Sequence, residues 1–215
     1  MGPKLRLILA VTSSTALLEV NKTPSLIRAI HGLQEFWPTL PLTIAVDHVN
    51  ASAVSVLLER NRISHELLTC NPGDPHEFAK ALAPESQLCD ALLIHDASRP
   101  LTNGEQFSRL LEAFSELIDA VRPSIAFTET LKILESDSLI RETLDRTSVR
   151  RISTPELIRT SAIDIRGKDQ GWFLPLKEGA VLEHVEGSPE ALRINSEADR
   201  DLLESFLHWR QRTVQ

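Results

Sequence analysis

Cysteine is scarce in this chain of 215 residues: Cys70 and Cys89 are the only two. They form no CxxC pair and share no ligand spacing with histidine, which argues against a zinc site or a disulfide framework. Isolated cysteines of this kind read as small buried hydrophobes. Long apolar runs are missing too. None approaches the roughly 18 residues that a membrane-spanning helix needs. The run 7–11, behind Lys4 and Arg6, is too short for a secretion signal. Positive charge is in deficit, with 23 Lys and Arg against 30 Asp and Glu and a net charge of −7. A nucleic-acid surface needs a concentrated basic face, so this balance argues against that partner. The expectation is a cytoplasmic protein that binds neither membrane nor nucleic acid. Glycine is absent between Gly2 and Gly32, and no Lys or Arg lies between Arg6 and Lys22. A loop in that interval has no glycine to let backbone N–H groups approach a phosphate closely.

What is present is ordinary for a globular protein, with 42% hydrophobic and 25% charged residues. The length suits one α/β domain with a sizeable core. Leu5–Val11, Leu42–Val46, 66–70 and 91–94 read as strands. Between them lie helical stretches at 23–35, with Pro24 in the first turn, at 51–62, capped by Asn50, and at 75–82. Asn103 caps a further helix, in which Phe107, Leu110, Leu111, Phe114, Leu117 and Ile118 recur at helical spacing. This alternation implies a Rossmann-like, open, mostly parallel sheet with helices on both faces. After Pro123 the pattern changes: 125–134, a polar break at 136–138 and Leu139–Leu144 read as a projecting hairpin. Thr154-Pro155 opens a short helix, 182–185 is a late strand, and Ser196 with Asp199 starts a final helix reaching about Arg212. No linker or repeat divides the chain, so one domain is expected over 1–215, with an arm at 128–150.

The most chemical segment is 91–100, where four apolar residues end in His95, Asp96 and Arg99, closed by Pro100. In an open α/β sheet, ligands bind beyond the carboxyl ends of the strands. A hard oxygen ligand beside a fixed cation can hold a metal–phosphate complex. The same residues can equally make a solvated turn in which Asp96 caps and Arg99 pairs with it.

Four ordered patches over 90–210 together resemble the 2-C-methyl-D-erythritol 4-phosphate cytidylyltransferase family. Ile94-His95-Asp96-Ala97-Ser98-Arg99-Pro100 is similar to that family's HDAARP segment. Thr128-Glu129-Thr130-Leu131-Lys132 is similar to its D-T-hydrophobic-K stretch. Thr143-Leu144-Asp145-Arg146 and Ser153-Thr154-Pro155 resemble its T-x-x-R and TPQ segments. Val185-Glu186-Gly187-Ser188-Pro189, with Arg193-Ile194-Asn195 and Glu197-Ala198-Asp199, resembles VEGSxxNIKIT followed by P-E-D. The resemblance implies a nucleotide-diphospho-sugar transferase type of fold with a β-hairpin dimerisation arm, hence a homodimer. It implies attack by a sugar-alcohol phosphate on the α-phosphate of CTP, releasing pyrophosphate. By position, Asp96 is expected to hold Mg²⁺ and nucleotide, with Thr12, Ser13 and Ser14 on the nucleotide side. Thr130, Arg146 and Thr154 are expected to contact the substrate phosphate, Arg146 reaching in from a partner's arm, and Arg99 is expected at the substrate. Arg193 stands where the family has a lysine, and with Thr130 and Arg146 forms the expected catalytic set.

The chain departs from the family on the nucleotide side. Where the family has a glycine-rich loop with cations, this chain has 12–21 without glycine, Lys or Arg; GGxxRxxSV becomes 71–80 around Gly73, and Asp169-Gln170-Gly171-Trp172 replaces T-D-E-A. The expected function is therefore a divergent member with weak or lost catalysis that keeps a small phosphorylated ligand or a partner. The alternatives are an active enzyme with a remodelled loop, recruiting Lys4, Arg6 or Lys22, and a purely structural dimeric module.

Overall fold

The computed structural model describes residues 2–137 and 139–213. The strands and helices are, in chain order, β1 (Leu5–Val11), β2 (Glu19–Val20), β3 (Thr23–Pro24), α1 (Ser25–Phe36), β4 (Leu42–Val46), α2 (Ala51–Arg60), β5 (Glu66–Thr69), α3 (Pro75–Ala81), α4 (Ala83–Ser86), β6 (Ala91–Asp96), α5 (Gly104–Ala113), β7 (Ala120–Ala126), β8 (Leu131–Ser136), β9 (Leu139–Leu144), β10 (Arg150–Ile152), β11 (Glu156–Arg159), β12 (Leu182–Glu186) and α6 (Glu197–Thr213). The central sheet runs β5-β4-β1-β6-β11-β7, with β10 and β12 also paired to β7. The neighbours β5, β4, β1 and β6 are mutually parallel. β11 enters antiparallel between β6 and β7.

The continuous apolar runs LRLILAV and LTIAV form central strands because residues on both of their faces are covered. Alternation along β1 separates two cores. Leu7, Leu9 and Val11 pack with Leu26, Ile30 and Leu33 of α1, Leu58 of α2 and Phe107 of α5. Ile8 and Ala10 face the opposite way, onto Phe78 and Leu82 and the loop residues Trp172, Leu174 and Leu176. Each such aliphatic side chain contributes about 1.5–3 kcal/mol by leaving water. Together they anchor the carboxyl ends of β1 and β6 side by side. α6 seals a third cluster, with Leu203 on Val20 and Ile194. Its start is the expected box: Ser196 Oγ donates to Asp199 Oδ2 at 2.9 Å, and the Asp199 N–H returns to Ser196 Oγ at 3.3 Å.

Several local expectations are corrected. The first helix starts at Ser25, since Pro24 pairs with Glu19 across the β2–β3 turn, where Asn21 and Lys22 have φ of 49° and 62°. Asn50 precedes α2 but does not cap it, because its side chain binds the Asp47 carboxylate. α5 ends at Ala113 although the apolar spacing continues. Phe114 turns to meet the Arg159 guanidinium at 4.7 Å, and Leu117 is exposed. Ile125 belongs to the central sheet, and the hairpin is Leu131–Ser136 against Leu139–Leu144 as a separate two-stranded sheet. Ser138, in the expected polar break, lies outside the described residues. Thr154-Pro155, a cis peptide bond, opens no helix. It joins β10 to β11, because residues 156–159 find ladder partners on both β6 and β7.

Candidate functional site

The end of β6 meets the end of β1 at a cavity of about 290 Å³, lined among others by Thr12, Asp96, Arg99, Thr154, Glu156 and Arg193. Gly73, Pro75 and Trp172 close it from the two segments on which the sequence departs from the family it resembles. The strand ends thus converge where an open α/β sheet places a ligand.

Asp96 is buried, and both carboxylate oxygens are engaged. Oδ1 accepts from the Ser98 N–H at 2.9 Å and Oδ2 from Arg193 Nε at 2.7 Å. Arg193 extends the network, donating from Nη2 to Thr12 Oγ1 at 2.9 Å and from Nη1 to Asn195 Oδ1. An arginine with its three nitrogens so placed is a pinned cation. Arg99 is held differently. Its Nη1 and Nη2 donate to the carbonyls of Ala191 (2.6 Å) and Ile152 (3.1 Å), while its buried Nε has no partner among the described residues. Burial lowers its pKa to about 10, against the opposing pull of Asp96. Neighbouring His95 is 1% exposed, and burial holds its pKa down at about 4, so the ring is neutral. It bridges Thr154 Oγ1 (2.9 Å from Nδ1) and the Arg99 carbonyl (3.2 Å from Nε2). Gln106 braces the other side, donating to the Thr154 carbonyl at 2.7 Å and accepting from the Ser188 N–H at 2.6 Å.

Five of the expected site residues, Thr12, Asp96, Arg99, Thr154 and Arg193, come together here. Ser13 and Ser14 do not line the cavity. They lie on a 3-10 turn (Ser14–Leu17) in which Ser13 Oγ bonds Thr15 Oγ1 at 2.6 Å and Thr15 donates to the Ile194 carbonyl at 2.8 Å. Thr130 and Arg146 are exposed at the arm and its foot, outside the cavity; Arg146 donates to the Thr128 carbonyl. Among the cations named for a remodelled loop, Arg6 is tied to Glu66 and Thr43 at the opposite end of β1, where Lys4 precedes the strand and gives its backbone N–H to Asp90. Six steps along extended chain separate Arg6 from Thr12, about 20 Å. Lys22 is exposed in the β2–β3 turn.

For a divalent cation the donor set does not fit. Among the described residues no three His, Cys, Asp or Glu side chains gather, and the one expected ligand, Asp96, already has Arg193 on its outward oxygen. A metal there would displace a fixed positive charge, so the expectation of Mg²⁺ on Asp96 is not met by these residues.

Glu156 was not among the expected site residues. It follows Thr154-Pro155 at the place where the TPQ segment has glutamine, a difference that would have been the signal for it. Its carboxyl is 3% exposed, accepts from the Phe173 N–H at 2.8 Å and lies 3.6 Å from Arg122. Arg122 in turn stacks over Trp172 at 4.2 Å and donates to the Gly171 carbonyl at 2.7 Å. Burial outweighs these partners and pushes the Glu156 pKa up to about 7.

An open, mostly parallel sheet with a polar cavity at its strand ends is the fold of nucleotidyltransferases of the cytidylyltransferase type. A solved 4-diphosphocytidyl-2C-methyl-D-erythritol synthase matches it with a TM-score of 0.78 at 18% identity, over 95% of this chain and 99% of the other. The 2-C-methyl-D-erythritol 4-phosphate cytidylyltransferase of Thermus thermophilus matches with a TM-score of 0.70 at 17% identity, over 95% and 99%. The sequence profile of the 2-C-methyl-D-erythritol 4-phosphate cytidylyltransferase family matches residues 9–208, and the chain belongs to that family. The family's protein from Saccharopolyspora erythraea is 27% identical over 203 residues, 89% of this chain and 90% of the relative. The bifunctional enzyme IspD/IspF of Oleidesulfovibrio alaskensis is 27% identical over 127 residues, 54% of this chain and 32% of the relative. Matches to such bifunctional relatives span between 31% and 46% of their length.

Proposed function

We propose that this protein is a member of its family in which cytidylyl transfer from CTP is weak or lost, while the cavity at the end of β6 still takes a small phosphorylated polyol. The observation that carries the reading is the pinned Arg193. Its guanidinium neutralises Asp96 and binds Thr12, leaving little of its charge for a triphosphate. The turn that follows β1 has no glycine and no cation, and its Ser13 and Thr15 hydroxyls are spent on one another and on Ile194. Loss of one oxyanion-type donor costs on the order of 10²–10³ in rate, and here a loop and its cations are replaced together. On the substrate side, Arg99 and Thr154 are braced by carbonyls, His95 and Gln106, an arrangement suited to hold a ligand in one orientation. The family's arm implies a homodimer in which Thr130 and Arg146 complete a partner's cavity. An isolated two-stranded hairpin such as β8–β9 is marginal in water and gains from such packing.

Calorimetric titration with CTP and Mg²⁺, and separately with 2-C-methyl-D-erythritol 4-phosphate, tests the reading. The expected result is saturable heat with the polyol phosphate and none with millimolar CTP. Tight CTP binding with pyrophosphate release favours the active enzyme, and no binding of either favours the structural module.

A further inference from the structure

We propose that His95 fixes the Thr154 hydroxyl as a hydrogen-bond acceptor toward the cavity, so that this position selects a hydroxyl of the ligand and turns away an unprotonated phosphate oxygen. The inference rests on the reading above that the cavity takes a phosphorylated polyol, and it assigns which end of that ligand meets which wall.

The argument is a count of protons. The Arg99 carbonyl can only accept, so at 3.2 Å from His95 Nε2 it requires that nitrogen to carry the ring proton. The ring is neutral and enclosed, which leaves Nδ1 bare. Nδ1 lies 2.9 Å from Thr154 Oγ1 and must therefore accept the threonine's single proton. The same Oγ1 accepts the Asp96 N–H at 3.1 Å. A hydroxyl has one proton and two lone pairs, so only one lone pair of Thr154 is left for a ligand. A phosphate oxygen set against it would place two acceptors face to face, whereas a ligand O–H would complete the set. Arg99 lines the same cavity, and its guanidinium has no acceptor while Nη1 and Nη2 each keep a second N–H beyond their carbonyl partners, so it is the wall suited to the phosphate. His95 is thus a positioning residue: it touches no ligand and acts through Thr154 and Arg99.

Two measurements test this. Long-range ¹H–¹⁵N spectra of the histidine-labelled wild type are expected to show the Nε2–H tautomer for His95; the Nδ1–H tautomer overturns the proposal whatever the protein binds. Calorimetry then compares 2-C-methyl-D-erythritol 4-phosphate with inorganic phosphate. Thr154→Val is expected to weaken the polyol phosphate about tenfold and leave inorganic phosphate unchanged, with Thr154→Ser restoring the first. His95→Phe, beside the Phe107 ring, frees the Thr154 proton to turn into the cavity. It is expected to weaken the polyol phosphate while tightening inorganic phosphate. Equal weakening of both probes would mean a merely structural histidine and sink the idea. Should His95→Phe fail to fold, the Thr154→Val and Thr154→Ser pair decides alone. If neither probe binds the wild type, the functional reading fails, and the tautomer still decides the role of His95.

Discussion

Replacing Glu156 by glutamine is expected to change how stability depends on pH, and the structure sets both the sign and the size. Glu156 titrates near 7 in the fold against an ordinary 4.5, because burial penalises its charge more than Arg122 and the Phe173 N–H reward it. An acid whose pKa is raised by folding contributes its stability below the unfolded value and loses it as pH climbs to the folded one. The rise from 4.5 to about 7, at about 1.4 kcal/mol per pH unit, amounts to a little over 3 kcal/mol, lost between pH 4.5 and 7. His95 runs the other way. Its pKa falls from 6.5 to about 4, so its contribution is present above pH 6.5 and is lost as pH falls toward 4. Between pH 4.5 and 6.5 the unfolded chain carries a proton on His95 and the native state one on Glu156, and the two slopes cancel. Glu156→Gln removes one of them. Its stability relative to wild type is expected to rise by about 1.4 kcal/mol per pH unit over that window, reaching about 3 kcal/mol above pH 7. Urea unfolding followed by tryptophan fluorescence at pH 4.5, 5.5, 6.5 and 7.5 measures this directly. A stability difference that stays constant across the four pH values would refute the reasoning.

Other expectations follow from the same geometry. Trp172→Ala empties a buried wall of the cavity and strips Arg122 of its stacking partner, and should cost about 3–5 kcal/mol in the same unfolding assay. Arg193→Lys replaces a planar fork bonded to Asp96, Thr12 and Asn195 by a single ammonium, and is expected to raise CTP affinity, read by calorimetry; unchanged affinity would remove the pinned guanidinium as the cause of weak binding. Cys70 is buried with its thiol pushed up to about 11, so thiol titration of the native protein at pH 8 should leave it unreacted until denaturant is added. Deleting 131–144 should convert a dimer to a monomer in light scattering, and a wild type that is already monomeric contradicts the proposed role of the arm.

How much was legible beforehand differs from element to element. The central strands could be read because β1, β4 and β6 are apolar on both faces, and only a covered parallel sheet asks for that. The end of α5 could not be read, since apolar spacing continues through Ile118 and the helix stops where Phe114 finds Arg159, 45 positions on. The strand after Thr154-Pro155 was equally hidden. Its four residues carry no strand pattern of their own, and two neighbours from distant parts of the chain supply their ladder. Among the residues that line the cavity, Asp96, Arg99, Thr154 and Arg193 could be singled out through their motifs. What each of them binds was not.

The sequence by itself determined the fold class, the family and the absence of a glycine cradle after β1, since periodicity, motif order and a missing residue type are local properties of a chain. The tertiary structure decided the state of the site. Arg193 pairs with Asp96 across 97 positions, and His95 meets the Thr154 hydroxyl across 59. Glu156 acquires its raised pKa from the depth at which β11 is inserted, against the opposing pull of Arg122 and the Phe173 N–H. Charge, proton position and burial depend on distances of a few ångströms between remote segments, and those distances exist only once the sheet has brought the strand ends together.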